Sequence, residues 1–596
     1  MNRSEGPALA ARAWGARPTV TRAALREWVR SIETKHLVYG VAIAILAYQV
    51  LVPLVILVWG SLSTGRPGAP DYFSLASLSL DNYVRAFGSR HLYVALGNTV
   101  VFAGGVTILA CALGGALAWI VERTNTPFRN LITLLCIARL IVPGILGTVA
   151  WIFLASPQIG MLNTLAQQVF GLPGPPFDVY SMAGMIWVEA MDMLPVAFLL
   201  MSAALRSMDP SLEEASLTAG KGLAYTTTHV TFPLILPAAL ATLILMFIRG
   251  IETFEVPLLL GVPARTFTFV VEIWLNTRTK PADYGLAGAY AVFVLVICVG
   301  LVWLYNRATR HSETFAVITG KAFRPRRVDL GPWRWAACAF ALLVMTASVL
   351  LPLAVLAWAS FMPRYVPIGL DGLSQATLAN YAYVLSYPLT LRAFLNSSFL
   401  GVTAATATVF LIAIIAWLVI KTRVPGRQYL DHLAFAPIAI PAAVMGVAFL
   451  WFYLSVPLPI YGTIWILFLL YVTRYMPVVM RILSAAMVQI GNDLHEASEI
   501  SGASWWRGFR TVTLPLLRPG LVAAWIWVLI HAFRELSGSI FVYASGTEPI
   551  GVAAYNLWEN GSYVVLAAFG MLVFLTLIVL SVIAQTVGSR FGIRGA

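Results

Sequence analysis

Apolar residues run along this chain in long blocks, separated by short clusters of charge, proline and glycine. A helix that crosses about 30 Å of hydrocarbon needs about 20 mostly apolar residues, and twelve blocks qualify. They predict helices near 36–62, 92–121, 131–155, 180–205, 232–259 and 285–306, then near 332–361, 388–420, 428–455, 460–487, 514–543 and 563–588. The fold class is therefore all-α and integral to a membrane, where only helices and closed barrels satisfy their own backbone groups.

The second six blocks repeat the first six. Glu214, Ala215, Ser216, Gly220, Val230 and Pro233 return as Glu496, Ala497, Ser498, Gly502, Val512 and Pro515, always at an offset of 282. Nearer the start of each half the offset is 298: Asn82-Tyr83 returns as Asn380-Tyr381, Asn98 as Asn396 and Pro143 as Pro441. The first half thus holds sixteen extra residues between Pro143 and Pro195, and the Gly/Pro-rich stretch 156–181 is their natural place, because surface loops tolerate insertion. The repeat predicts two homologous six-helix halves, 36–308 and 332–596, with a basic tail at 1–35 and a basic linker at 309–331. Parallel repeats of this kind are related by an axis along the membrane normal, with a pathway between them.

Composition and charge narrow the class. Of 596 residues, 59% are hydrophobic and 11% charged, and a mean hydropathy of +0.82 excludes an ordinary soluble protein. The net charge of +13 has no soluble basic domain to carry it, so nucleic acid is not the partner. Instead, Lys and Arg gather in alternate loops: at the N-terminus, at Arg123 and Arg129, at Arg206 and Lys221, through Arg307 to Arg327, at Lys421 to Arg427, and at Arg590 and Arg594. The positive-inside rule then places both termini and the linker in the cytoplasm. The first apolar run exceeds the 7 to 15 residues of a signal-peptide core, so it reads as a retained anchor. The four cysteines lie in apolar blocks without paired spacing, which supports neither a disulfide frame nor a metal site. Trp59, Tyr72, Trp358 and Tyr365 fall near span ends and are expected in interfacial belts.

One segment stands out on the basic side. Asp209-Pro210 reads as a cap and first residue of a short helix, and Gly220 is suited to end it. A second short helix would lead on to Pro233, making an elbow able to dock in a partner's groove. The pattern Glu-Ala, four residues, Gly, nine residues, a branched apolar residue, one residue, apolar, Pro resembles the cytoplasmic loop of permeases in binding-protein-dependent ABC importers. That resemblance implies the ABC type I importer permease fold, with Glu214, Ala215, Ser216 and Gly220 docking one ATPase subunit and Glu496, Ala497, Ser498 and Gly502 the other. Ser216 and Ser498 replace the family's usual alanine. The fused arrangement, with Glu252-Thr253-Phe254-Glu255-Val256-Pro257 in one half and Arg534-Glu535-Leu536-Ser537 in the other, is similar to the iron(III)-type subgroup. Related permeases serve thiamine, polyamines or aminoethylphosphonate. Two cytoplasmic ABC ATPases, a periplasmic solute-binding protein and the inner-membrane lipid are the implied partners.

Ionisable groups inside spans are costly and usually face a cavity or a partner. At the 282 offset Asp192 corresponds to Arg474, and Glu252 to Arg534, so an acid in one half answers a base in the other. With Glu535 these are candidate pathway or gate residues, expected near the outer mouth for Glu252, Arg534 and Glu535. The alternative is pairing inside one half, such as Arg249 with Glu252 or Arg534 with Glu535. Glu189 and Asp192 lack a third ligand, and the histidines are scattered, so no metal site is expected. Gly220-Lys221 and Gly320-Lys321 lack the rest of a phosphate-binding loop. The chain is expected to bind no cofactor itself, to catalyse nothing, and to leave ATP and magnesium to its partner. A secondary transporter would share the repeated body and buried acids but would not need two elbows.

Overall fold

The computed structural model describes residues 34–208, 210–309, 327–366, 374–491, 493, 498, 500–502 and 504–590. Residues 1–33 of the basic tail, most of the linker, Asp209, Glu496, Ala497, His311 and His495 lie outside the described residues. Among the described residues nine helices are long and apolar enough to cross a membrane: Lys35–Leu62, Arg90–Arg123, Met182–Arg206, Thr227–Glu252 and Tyr284–Arg307, then Trp333–Ser360, Pro388–Lys421, Ile464–Gln489 and Tyr563–Thr586. Three bent pairs bring the total to twelve.

The bends correct the expectation of straight spans. The third span of each half is folded over by 106° between Arg129–Arg139 and Gly144–Ala155, and by 108° between Arg427–Ala439 and Ala442–Ser455. Pro143 and Pro441 sit at these corners with extended ψ angles of 139° and 142°. Proline disfavours the α conformation of the residue before it, which ends the first segment. The fifth span of the second half bends by 73° after Leu516, between Pro515 and Pro519. Beyond the fifth spans lie two ten-residue helices, Phe269–Arg278 and Ile550–Glu559, too short to register as spans in the sequence. They are equivalent under the repeat and meet through Trp274 and Tyr555, whose rings lie 6.0 Å apart.

Each first span crosses to the other half. Gln49 accepts from Thr473 at 2.6 Å, and at the matching place in the repeat Ser348 donates to the Met191 carbonyl at 3.0 Å. Tyr39 bonds the Gly426 carbonyl, Tyr48 meets Tyr453, and Tyr365 donates to Phe153 at 2.7 Å. At the crossing point both spans widen into a π turn, Ala47–Leu51 and Thr346–Leu350. Pro53 and Pro352 follow at once; each ring displaces the carbonyl four residues back and supplies no N–H, so the turn opens. Within a half, small residues let spans close in: a side chain at Gly250 would strike the Ala103 backbone at 2.9 Å, the close approach on which helix packing in lipid depends.

The face opposite the basic loops is tied down by a repeated clamp. Asn82, on the helix Asp81–Gly88, donates to the carbonyls of Ser61 and Ser63 at 3.1 and 2.9 Å. Asn380, on Ala379–Ser386, does the same to Ser360 and Met362 at 2.9 and 2.7 Å. Next to each, Tyr83 and Tyr381 reach a serine hydroxyl at 2.7 Å. The expected aromatic belt is partly corrected here. Tyr72 is buried, and Trp59 and Trp358 donate their indole N–H to the Tyr72 and Val366 carbonyls. The extra residues of the first half form the helix Met161–Phe170 and its return loop, held by buried Asn163, which bonds both Ser156 and Phe177 at 2.9 Å.

Candidate functional site

On the basic face the first elbow begins with the helix Pro210–Thr218. It ends in paired bonds, Gly220 N–H to Leu217 at 2.9 Å and Lys221 N–H to Ser216 at 3.2 Å. Gly220 has a φ of +79°, which only glycine adopts without strain, and this bond pair is the Schellman closure of a helix. Leu223–Thr226 and a π turn at Thr227–Thr231 then carry the chain into the fifth span. Leu212, Glu214, Ala215 and Gly220 are exposed. Ser216, where the family pattern has alanine, joins the two arms by a 2.9 Å bond to Thr226.

Glu213, not singled out by the motif, is the acid that holds this elbow. Its Oε2 lies 3.1 Å from Nη1 of Arg123, the last residue of the second span, and its Oε1 accepts from Thr231 at 2.7 Å. Beside it Arg206 pairs with Glu122 at 2.8 Å. Glu213 is not part of the repeated motif because its counterpart is His495; the tandem Glu213-Glu214, one residue on each side of the helix, is its signal in the sequence.

The second elbow closes at Gly502, φ +77°. Ser504 then caps the short helix Trp505–Gly508 by accepting from Arg507. Ser498 lies against Gly508, where a side chain would come within 3.0 Å of its hydroxyl. Trp417, Trp505, Trp506 and Phe509 stack around this turn, with Trp417 and Trp505 5.2 Å apart. Ile500 is 87% exposed.

The interior charges come together, but not as the offset suggests. Asp192 pairs with Arg139 at 2.6 Å, Arg474 with Glu535 at 3.4 Å, and Arg249 with Glu252 at 3.6 Å. Neither Asp192–Arg474 nor Glu252–Arg534 forms an ion pair, because Arg139 and Glu535 stand nearer. Arg534 turns instead to the Leu140 carbonyl across the halves, at the corner of the broken third span. Thr253 donates to Glu189 at 2.9 Å, and Glu535 accepts from Gly538 N–H at 2.8 Å. The carboxylate of Glu255 lies against Gly144, at the start of the second segment of that span. Asp192 is ten residues into its helix, about 15 Å from its end, and Glu252 and Glu535 are buried. Glu252 and Arg534 are the last residues of their helices. Among the described residues no three metal-ligating side chains converge.

Residues 409–591 match the family Binding-protein-dependent transport system inner membrane component. The chain is 24% identical over 495 residues to the ferric transport system permease protein FbpB of Actinobacillus pleuropneumoniae, covering 82% of this chain and 70% of that one. It is 28% identical over 236 residues to a putative 2-aminoethylphosphonate transport system permease protein, PhnU, of Salmonella choleraesuis, covering 39% of this chain and 82% of that one. Among solved structures, a bacterial alginate ABC transporter in complex with an alginate pentasaccharide-bound periplasmic protein aligns with 49% of this chain and 97% of its own, at 18% identity and a TM-score of 0.39.

Proposed function

We infer that this chain, whose second half carries the inner-membrane component of binding-protein-dependent transport systems, is the fused permease of an ATP-driven importer, and that its cargo is iron(III). The observation that carries the reading is the pair of elbows, one per half at an offset of 282, each closed by a left-handed glycine on the basic face. The iron assignment is supported by ferric permease relatives that align across most of the chain.

In this reading a periplasmic protein delivers iron to the face opposite the elbows. Two cytoplasmic ATPase subunits, which bind ATP and magnesium, receive Glu214, Ala215, Ser216 and Gly220 on one side and Glu496, Ala497, Ser498 and Gly502 on the other. Their closure moves both elbows, and the halves rock to expose the interior to one side at a time. Asp192, Glu252, Arg474, Arg534 and Glu535 stand where a pathway between the halves would pass. The crossed first spans favour such rocking, since each half carries a piece of the other. Aminoethylphosphonate is the second reading, favoured by three buried or half-buried guanidiniums, those of Arg139, Arg474 and Arg534.

The test is iron uptake into proteoliposomes that hold the chain with co-expressed ATPase and iron-loaded binding protein. Wild type should take up ferric iron only with ATP, and Gly220→Asp with Gly502→Asp should lose uptake and the ATPase together while still inserting. Uptake without ATP or any bound ATPase would replace this reading with a secondary transporter. Uptake of phosphonate but not iron would select the second cargo.

A further inference from the structure

We infer that Glu213 is the positioning residue that makes the first elbow move as one piece with the membrane body, so that a push on the elbow reaches the second and fifth spans directly. This inference rests on the importer reading above.

The carboxylate is engaged at both oxygens by segments far apart in sequence. Arg123, 90 residues away, closes the second span, and Thr231, 18 residues away, lies at the entry of the fifth. All three side chains are buried, Arg123 at 2% exposure. The connection continues past Arg123, whose carbonyl accepts from Val328 N–H at 2.7 Å. There the linker lies against the loop after the second span, and Asn125 bonds Asp329 and Leu330. One acid thus joins the elbow, two spans of its own half and the strap leading to the other half.

The second half does not repeat these residue types. The positions matching Glu213, Arg123, Glu122 and Arg206 are His495, Lys421, Ile420 and Val488. Lys421 there reaches the Ile490 carbonyl, at the end of its own fourth span. Glu214, by contrast, points outward and is free to face a partner. The two adjacent acids divide the work: Glu214 outward, Glu213 inward. A buried ion pair with a further hydroxyl bond resists separation, because pulling it apart strands charge in an apolar place. A hinge at this point would be loose only if Glu213 were neutral or short.

Glu213→Gln keeps the size and can still accept from Thr231, but turns an amide toward Arg123. In the full chain in lipid nanodiscs, amide exchange over 210–218 should quicken about tenfold, with exchange over 505–513 unchanged. In proteoliposomes with the ATPase and iron-loaded binding protein, the variant should hydrolyse ATP within about twofold of wild type yet import iron about tenfold more slowly. That split raises the ATP consumed per ion imported, which a merely structural defect would not do. Unchanged exchange over 210–218, or hydrolysis and uptake falling in proportion, overturns the inference. A wild-type chain that no ATPase drives would overturn the importer reading instead, and the exchange experiment would still decide whether Glu213 holds the elbow.

Discussion

The two elbows turn at matching left-handed glycines, Gly220 and Gly502, but are fastened by different chemistry. In the first, a buried carboxylate ties the short helix to two spans, and a half-exposed pair, Glu122 with Arg206, stands beside it. In the second, four aromatic rings fill the space behind the turn. The sequence offsets make the exchange plain: Trp417 corresponds to Trp119, but Trp505, Trp506 and Phe509 correspond to Leu223, Ala224 and Thr227. What the repeat preserves is the left-handed glycine and the following proline, which dictate backbone course. What it leaves open is how the elbow is fastened, because a dispersion contact and an ion pair can hold the same geometry. They differ in reach: rings pack over a broad area, whereas one carboxylate acts at a point and in fixed directions.

The sharpest way to break this comparison is to remove each fastening. Trp417→Ala should destabilise the second elbow by about 3–5 kcal/mol, and Arg123→Met, which strands the buried Glu213, should cost the first about 3–5 kcal/mol. Hydrogen exchange over 505–513 and over 210–218 separates the two; if either variant loosens the opposite elbow equally, the fastenings are not independent. A smaller effect sharpens the contrast with the opposite face, where both clamps are alike. Asn82→Ala and Asn380→Ala should each cost about 1–3 kcal/mol by stranding two buried carbonyls, with similar losses in melting temperature. The smallest is Arg206→Gln: the Arg206 side chain is 57% exposed, and glutamine can still donate to the buried Glu122, so the loss should be about 0–1 kcal/mol and should shrink in high salt.

Much of this architecture was legible in the sequence for a physical reason: a bilayer demands length and apolarity, and both are countable. The repeat was legible because residues with one irreplaceable property, Gly220 and Gly502 at positive φ, Asn82 and Asn380 with two-carbonyl clamps, keep their spacing. The folded-over third spans were not, although Pro143 and Pro441 were in view, since a proline inside an apolar block kinks one helix and reverses another according to what packs around it. Pro195 and Pro477 stay inside unbroken helices. The charge partners were illegible for a related reason. Offsets pair positions that are equivalent under the repeat, but contact depends on neighbours such as Arg139, which comes from a segment whose direction the bend decides. Glu213 escaped because a repeat search finds what two halves share, and this acid belongs to one.

The crossed first spans also set an order in time. Gln49 waits for Thr473, 424 residues later in the chain, whereas Ser348 meets a Met191 already made. At about 5–20 residues per second of synthesis, that wait is roughly 20–85 s. During it the first span stands in the lipid with a buried polar side chain unmatched, while its counterpart docks on arrival. The amino-terminal half of the molecule is thus the last to be completed, and a ribosome stalled after the linker leaves a span whose binding partner does not yet exist.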